Sequence, residues 1–232
     1  MLSDFVQTES PEAFRTLTER FTGLVSGVAS RRIGSHEIAQ KVTQNVFGIL
    51  ARKADGLVRR DIPVGAWLHR AAVLESGQAA RRENTRLKVM QTYSIHQDLA
   101  CPVDPLALPG SVLPDLDEAL DQLPAADREL LLARYFSEQS YREIARDTGR
   151  SEAALMQQQH RALEKLSRLL SRNGHAVSAA VMAPGLTALL TAPAPAGLAA
   201  TCAAQASATA LAAGSGTSSQ PLSWALAMQS QT

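Results

Sequence analysis

An all-α fold is what this sequence predicts, on three observations. Ala, Leu, Arg, Glu and Gln are abundant while aromatic residues make up only 4% of the chain, and straight-chain residues lose little rotamer freedom in a helix. Apolar residues recur at spacings of three and four, as one buried face of a helix requires. No run alternates apolar and polar residues between turn signals in the manner of a strand. At 232 residues the chain is long enough for one or two cores.

The first helix is announced by Ser10-Pro11-Glu12: a capping hydroxyl, a residue pre-set for the first helical position, and an acid near the positive end of the dipole. Phe14, Leu17, Phe21 and Leu24 form its apolar stripe. Gly34-Ser35 breaks it, and a second helix over about 37–52 aligns Ile38, Val42, Val46 and Ile49. Residues 55–65, with Gly56, Pro63 and Gly65, read as a loop. A helix over about 66–88 begins at Trp67-Leu68 and grows basic toward its end. Prolines 102, 105, 109 and 114 with Asp98 and Asp104 mark 93–114 as a linker. Asp115 with Glu118 looks like a capping box opening the next helix, whose stripe is Leu116, Leu120 and Leu123. Pro124 restarts a helix through Tyr135. Ser140 and Glu143 form a second capping box, Gly149 ends that helix, and Ser151 caps a last one to about 172. The units are therefore 10–92 and 115–172.

Beyond them, 173–232 contains no charged side chain and is rich in Ala, Ser, Thr and Pro. Leu186, Leu189, Leu190 and Leu198 give it a weak apolar surface, interrupted by Pro184, Pro193, Pro195 and Pro221. The simpler expectation is a flexible or partly helical appendage. The sharper one is a regulatory extension that folds back on the rest or binds a partner.

The net charge of +1 conceals a segregation. Residues 12–90 hold 14 Lys and Arg against 7 Asp and Glu, 91–127 hold 7 acids and no base, and 128–172 hold 9 bases against 6 acids. Two basic blocks suit two nucleic-acid-facing units, with the acidic stretch held off the DNA. Cys101 and Cys202 have neither metal-ligand spacing nor the look of a disulfide framework. The five histidines are scattered, and no phosphate loop or nucleophile motif appears. No enzyme, metal or cofactor is expected. The start lacks the features of a signal peptide and no long apolar run suits a membrane span, so the expected compartment is the cytoplasm.

Residues 141–166 have the grammar of a helix-turn-helix, with Glu143-Ile144-Ala145 on a short helix, a glycine turn and a longer helix. At 100° per residue, Ala153, Gln157, His160, Arg161 and Glu164 share the outer arc of the second helix. Gln157 can read an adenine edge bidentately, and Arg161 a phosphate or guanine. A purely structural helical hairpin is the plainer alternative.

Residues 120–129 (Leu-Asp-Gln-Leu-Pro-Ala-Ala-Asp-Arg-Glu), Tyr141-Arg142-Glu143-Ile144-Ala145, Gly149, Ser151 and 161–166 (Arg-Ala-Leu-Glu-Lys-Leu) resemble region 4 of the sigma-70 family, and within it the extracytoplasmic-function (ECF) group. That resemblance implies recognition of the −35 promoter element, here through Arg150, Ser151, Gln157, His160 and Arg161, and contact with the flap of the polymerase β subunit. Residues 39–47 (Ala-Gln-Lys-Val-Thr-Gln-Asn-Val-Phe) resemble region 2.2, which docks on the β′ clamp. The resemblance makes Gln40, Lys41, Gln44 and Phe47 the core-polymerase contacts. Residues 66–72 and 81–86 resemble regions 2.3 and 2.4, which capture and melt the −10 element. They imply base capture near Trp67 and backbone contacts from Arg59, Arg60, Arg70, Arg81, Arg82 and Arg86. From the residues alone, core roles for Phe47 and Trp67 stand beside these.

The family usually has acids at Lys41 and often at Gln40, and commonly has bases at Gln157 and Gln158. Losing two phosphate-neutralising groups flattens the salt dependence of DNA binding by about 1.8 log units per decade of salt. The implied protein is a sigma factor whose partners are core polymerase, promoter DNA and, in many relatives, an anti-sigma factor. Two other classes remain open: a helix-turn-helix regulator that works without polymerase, and an interaction module that has lost promoter binding.

Overall fold

The computed structural model describes residues 2–8, 10–90, 112–175, 177, 182–183, 186–187, 190 and 195–213, without side chains at 84–90 and 206–213. Among these residues there are helices and no strand: α1 (Leu2–Thr8), α2 (Pro11–Arg32), α3 (His36–Arg59), α4 (Val64–Met90), α5 (Leu113–Gln122), α6 (Ala125–Tyr135), α7 (Tyr141–Thr148), α8 (Glu152–Arg172) and α9 (Leu198–Ala213).

The serine caps set the helix starts. Backbone N–H groups of Ala13, Ile38 and Ala154 donate to the hydroxyls of Ser10, Ser35 and Ser151. At Ser140 the capping box is complete: Glu143 N donates to Ser140 Oγ at 3.2 Å and Ser140 N donates to Glu143 Oε2 at 2.7 Å. Each such cap stabilises its helix by about 1 kcal/mol.

Three boundaries differ from expectation. The loop foreseen at 55–65 shrinks to 60–63, because α3 continues through Gly56 to Arg59. Ala54 and Leu57 are buried and extend its apolar face, which outweighs the roughly 1 kcal/mol cost of an interior glycine. α5 begins at Leu113 with no side-chain cap; the carboxylate of Asp115 instead takes His175 Nε2 at 2.8 Å. Where the tail is described, it is docked and not loose. α9 lies against α3 and α2, and Met182, Leu186, Leu190, Leu198 and Cys202 belong to the main core. Leu189 falls outside the described residues.

That core is continuous. α2, α3 and α4 pack on one another, α5 lies against α2, α4 and α8, and α6 lies against α4 and α8. One apolar cluster therefore runs from Leu2 through Phe14, Val46 and Leu68 to Leu120, Leu166 and Cys202. A smaller cluster of Leu130, Ile144 and Leu155 supports α7 on α6 and α8.

Candidate nucleic-acid interface

α7 and α8 make a helix-turn-helix. Gly149 has φ 68°, the left-handed conformation that a Cβ disfavours, so the chain can reverse there before Ser151 caps α8. Leu155, Ala162, Leu163, Leu166 and Leu170 face inward. Gln157, His160 and Arg161 are exposed on the outer side, with Ser151 and Arg150 at the turn.

The glutamines of α8 divide by role. Gln159 Nε2 donates to the Tyr135 hydroxyl at 2.8 Å and its Oε1 accepts from Tyr141 Oη. Gln158 Nε2 donates to Asp127 Oδ1 at 2.9 Å, and its Oε1 accepts from Arg150. Lys165 Nζ meets the other oxygen of Asp127 at 2.6 Å. These contacts fix α8 to α6 and α7 and consume two amides. Gln157 is left on the outer arc. His160 pairs with Glu164 at 3.3 Å, and this carboxylate offsets positive charge beside Arg161.

The first basic unit is only partly a surface. Arg59 and Arg60 are exposed, Arg59 paired with Asp55 at 2.8 Å. Arg81 and Arg82 lie exposed on α4; Arg86 is in α4, its side chain outside the described residues. Trp67 is 7% exposed and sits in the core, so it is not an open base-capturing ring. The reason is that Trp67 shares a buried face with Leu68, Ala71 and Ala72 where α4 meets α2 and α3.

Phe47 is corrected in the same way. It is 0% exposed. α3 is flanked by α1, α2, α4 and α9, so Val46, Phe47, Gly48, Ile49 and Leu50 are buried in succession, on all sides of the helix. Gln40 and Gln44 are half-buried and Lys41 is exposed, salt-bridged to Glu37 at 2.6 Å. Lys41 and Gln44 line a cavity of about 580 Å³ together with Arg52, Glu75 and Arg82. Buried Glu75 there accepts from Asn45 Nδ2 at 2.7 Å, and Gln205 of α9 also lines it.

The acidic stretch departs furthest from expectation. Its α5 carboxylates pair with the basic unit rather than standing apart from it. Asp117, fully buried, receives Arg31 Nε at 2.8 Å and Nη2 at 2.9 Å, with His69 Nε2 at 3.4 Å. Arg32 reaches the Pro114 carbonyl at 3.1 Å and Glu118 at 3.5 Å. Arg70 and Arg128 both approach Asp121, at 3.6 and 3.5 Å. Burial alone raises the Asp117 pKa, but the hydrogen bonds from His69 and Arg31, with their charges, outweigh it and hold it below its ordinary value. Sequence reasoning missed this site. Its only signal was the charge complementarity of the two blocks.

A second omission is Met156. At 49% exposure it is the large hydrophobic left open among the described residues, and the outer arc drawn from the helical wheel did not include it. Among the described residues no group of His, Cys, Asp and Glu could hold a metal ion, and no helix is long and apolar enough to cross a membrane.

Comparison with known proteins gives a local match to a family and distant likenesses to solved structures. Residues 113–166 match the family described as Sigma-70, region 4. That span begins with α5 and ends within α8, so it contains α7, the turn and most of α8 together with their support on α6. A solved structure, the sigma factor RpoE in complex with the anti-sigma factor NepR from Bartonella quintana, shows 22% identity over 63% of this chain and 89% of that chain. Its TM-score is 0.29, too low for any argument from arrangement. No curated protein matches.

Proposed function

We infer that this chain, whose residues 113–166 match Sigma-70, region 4, is a sigma factor of the ECF group of the sigma-70 family that directs core RNA polymerase to promoters. One observation carries the reading: the matched span folds as a helix-turn-helix whose second helix presents Gln157, His160 and Arg161 outward, while Gln158 and Gln159 are spent holding it in place. Such a helix enters the major groove with its first turns against base edges.

In this reading residues 115–172 take the −35 element and 10–92 take core polymerase and the −10 element. Arg150 and Ser151 meet phosphate at the turn, and Arg161 meets phosphate or guanine. Arg59, Arg60, Arg81, Arg82 and Arg86 hold the DNA backbone, joined by Arg70 once Asp121 releases it. The cleft carrying Lys41 and Gln44, with Gln40 nearby, receives the β′ clamp. Phe47 and Trp67 serve from the core by shaping these surfaces. The protein works in the cytoplasm with the polymerase, has no catalytic centre of its own, and is subject to an anti-sigma factor.

The test is to add the purified chain to core polymerase and a library of promoter DNA. Specific, chain-dependent transcripts are expected. Binding to DNA without polymerase, or polymerase binding without initiation, would replace this reading with a free-standing regulator or an interaction module.

A further inference from the structure

We propose that Met156 is a specificity-determining residue that reads the 5-methyl group of a thymine in the −35 element, beside an adenine read by Gln157. The inference rests on the reading of α8 as the promoter-facing helix and names what that helix selects.

Most polar side chains of α8 are already engaged within the protein. Gln158 and Gln159 are committed to Asp127, Arg150, Tyr135 and Tyr141. His160 and Arg168 converge on Glu164. Lys165 is held by Asp127. In the first turns, where a recognition helix touches base edges, the exposed groups are then Glu152, Ala153, Met156, Gln157, His160 and Arg161.

Met156 is adjacent to Gln157 and stands three residues after Ala153 and four before His160, so all four lie on neighbouring rows of one helix surface. A single exposed apolar side chain is ordinary on a protein surface. Here its position is what counts, because every other large hydrophobic whose side chain is described is at least partly buried.

The major groove offers one apolar feature, the thymine 5-methyl group. A thioether side chain is flexible and polarizable and can fit such a contact without a fixed shape. Gln157 complements it, since an amide makes two hydrogen bonds with adenine N6 and N7. Few unpaired cations remain at this surface, so selectivity shifts from phosphate attraction to the grooves of A·T pairs. Burying one methyl group corresponds to about a fourfold change in affinity.

The experiment uses the full chain with core polymerase and a promoter duplex recovered by selection from a library randomised at the −35 element. Each thymine of the selected element is replaced singly by deoxyuridine, which removes the methyl and nothing else. For the native chain, one replacement is expected to weaken binding about fourfold. Met156→Ala should be insensitive to that replacement, and Met156→Leu should keep the sensitivity. The proposal is overturned if no thymine is sensitive or if Met156→Ala retains the effect. If selection yields no preferred −35 sequence while −10-dependent initiation persists, this inference falls and the sigma-factor reading stands. If no polymerase-dependent selection occurs, both fall.

Discussion

At the residue scale, the group with most at stake is Asp117. Its carboxylate is buried and carries two bonds from Arg31, itself nearly buried. Replacing it with alanine takes from Arg31 the carboxylate that receives two of its N–H groups in an apolar setting, a change expected to cost about 3 kcal/mol. Urea unfolding of Asp117→Ala measures it. The pH dependence follows from the depressed pKa. A folded value below the ordinary 3.8 means the unfolded chain binds this proton more readily. The stabilisation is therefore present above about pH 4 and is lost as pH falls through the lower, folded value. Asp117→Asn should flatten that acid limb, read as stability against pH between about 2 and 5. An unchanged limb would mean other carboxylates control it. At Gly149, φ 68° makes alanine cost about 1–2 kcal/mol, and a melt of Gly149→Ala should show that loss.

At the scale of the element, the tail is the clearest case. α9 carries no charge, and its many alanines favour helix while allowing close approach to α3. Leu198 and Cys202, four residues apart, both point into the core. Burial pushes the Cys202 thiol up to about 12, so it stays protonated and unreactive at neutral pH. In a Cys101→Ser background, the native protein is expected to resist a thiol reagent at pH 8 and to react fully once unfolded. Rapid native reaction would show that α9 does not stay docked. Leu190→Ala removes a fully buried side chain and should lower stability by about 2–5 kcal/mol, seen as a depressed Tm. α8 provides the contrast. Its stability comes from its inner leucines, so substitutions at exposed Gln157 should change promoter choice and leave Tm within error.

Across the whole molecule, the acids of α5 occupy Arg31, Arg32 and Arg70 of the first basic unit. These carboxylates stand where phosphates could, and Arg70 cannot serve both at once. If the two units take separate promoter elements, as proposed, the unit carrying α7 and α8 has also to leave α4. Fluorophores on α3 and α7 are therefore expected to separate when promoter and polymerase bind. Exposed charge pairs weaken with salt, whereas the buried Asp117 pair persists. Energy transfer unchanged by promoter would show that both units act from the closed arrangement.

The sequence alone was enough for the helices between Pro11 and Arg172 and for the helix-turn-helix, but not for α1 or α9. Serine caps, a glycine at the turn and apolar spacing act within a few residues, so Ser10, Ser140, Gly149 and Ser151 could be read directly and all stand where expected. What a helix packs against was decided elsewhere. For Phe47 and Trp67 the residues alone allowed core roles and only the resemblance brought them to a surface; α3 is covered on several sides and α4 turns Trp67 inward. The role of Gln159 depended on tyrosines of two other helices, that of Gln158 on Asp127 and Arg150, and the Arg31–Asp117 pair joins residues 86 apart. Local backbone preferences are carried by neighbouring residues. Burial and pairing belong to the assembled fold, because only packing brings distant faces together and removes water from between them.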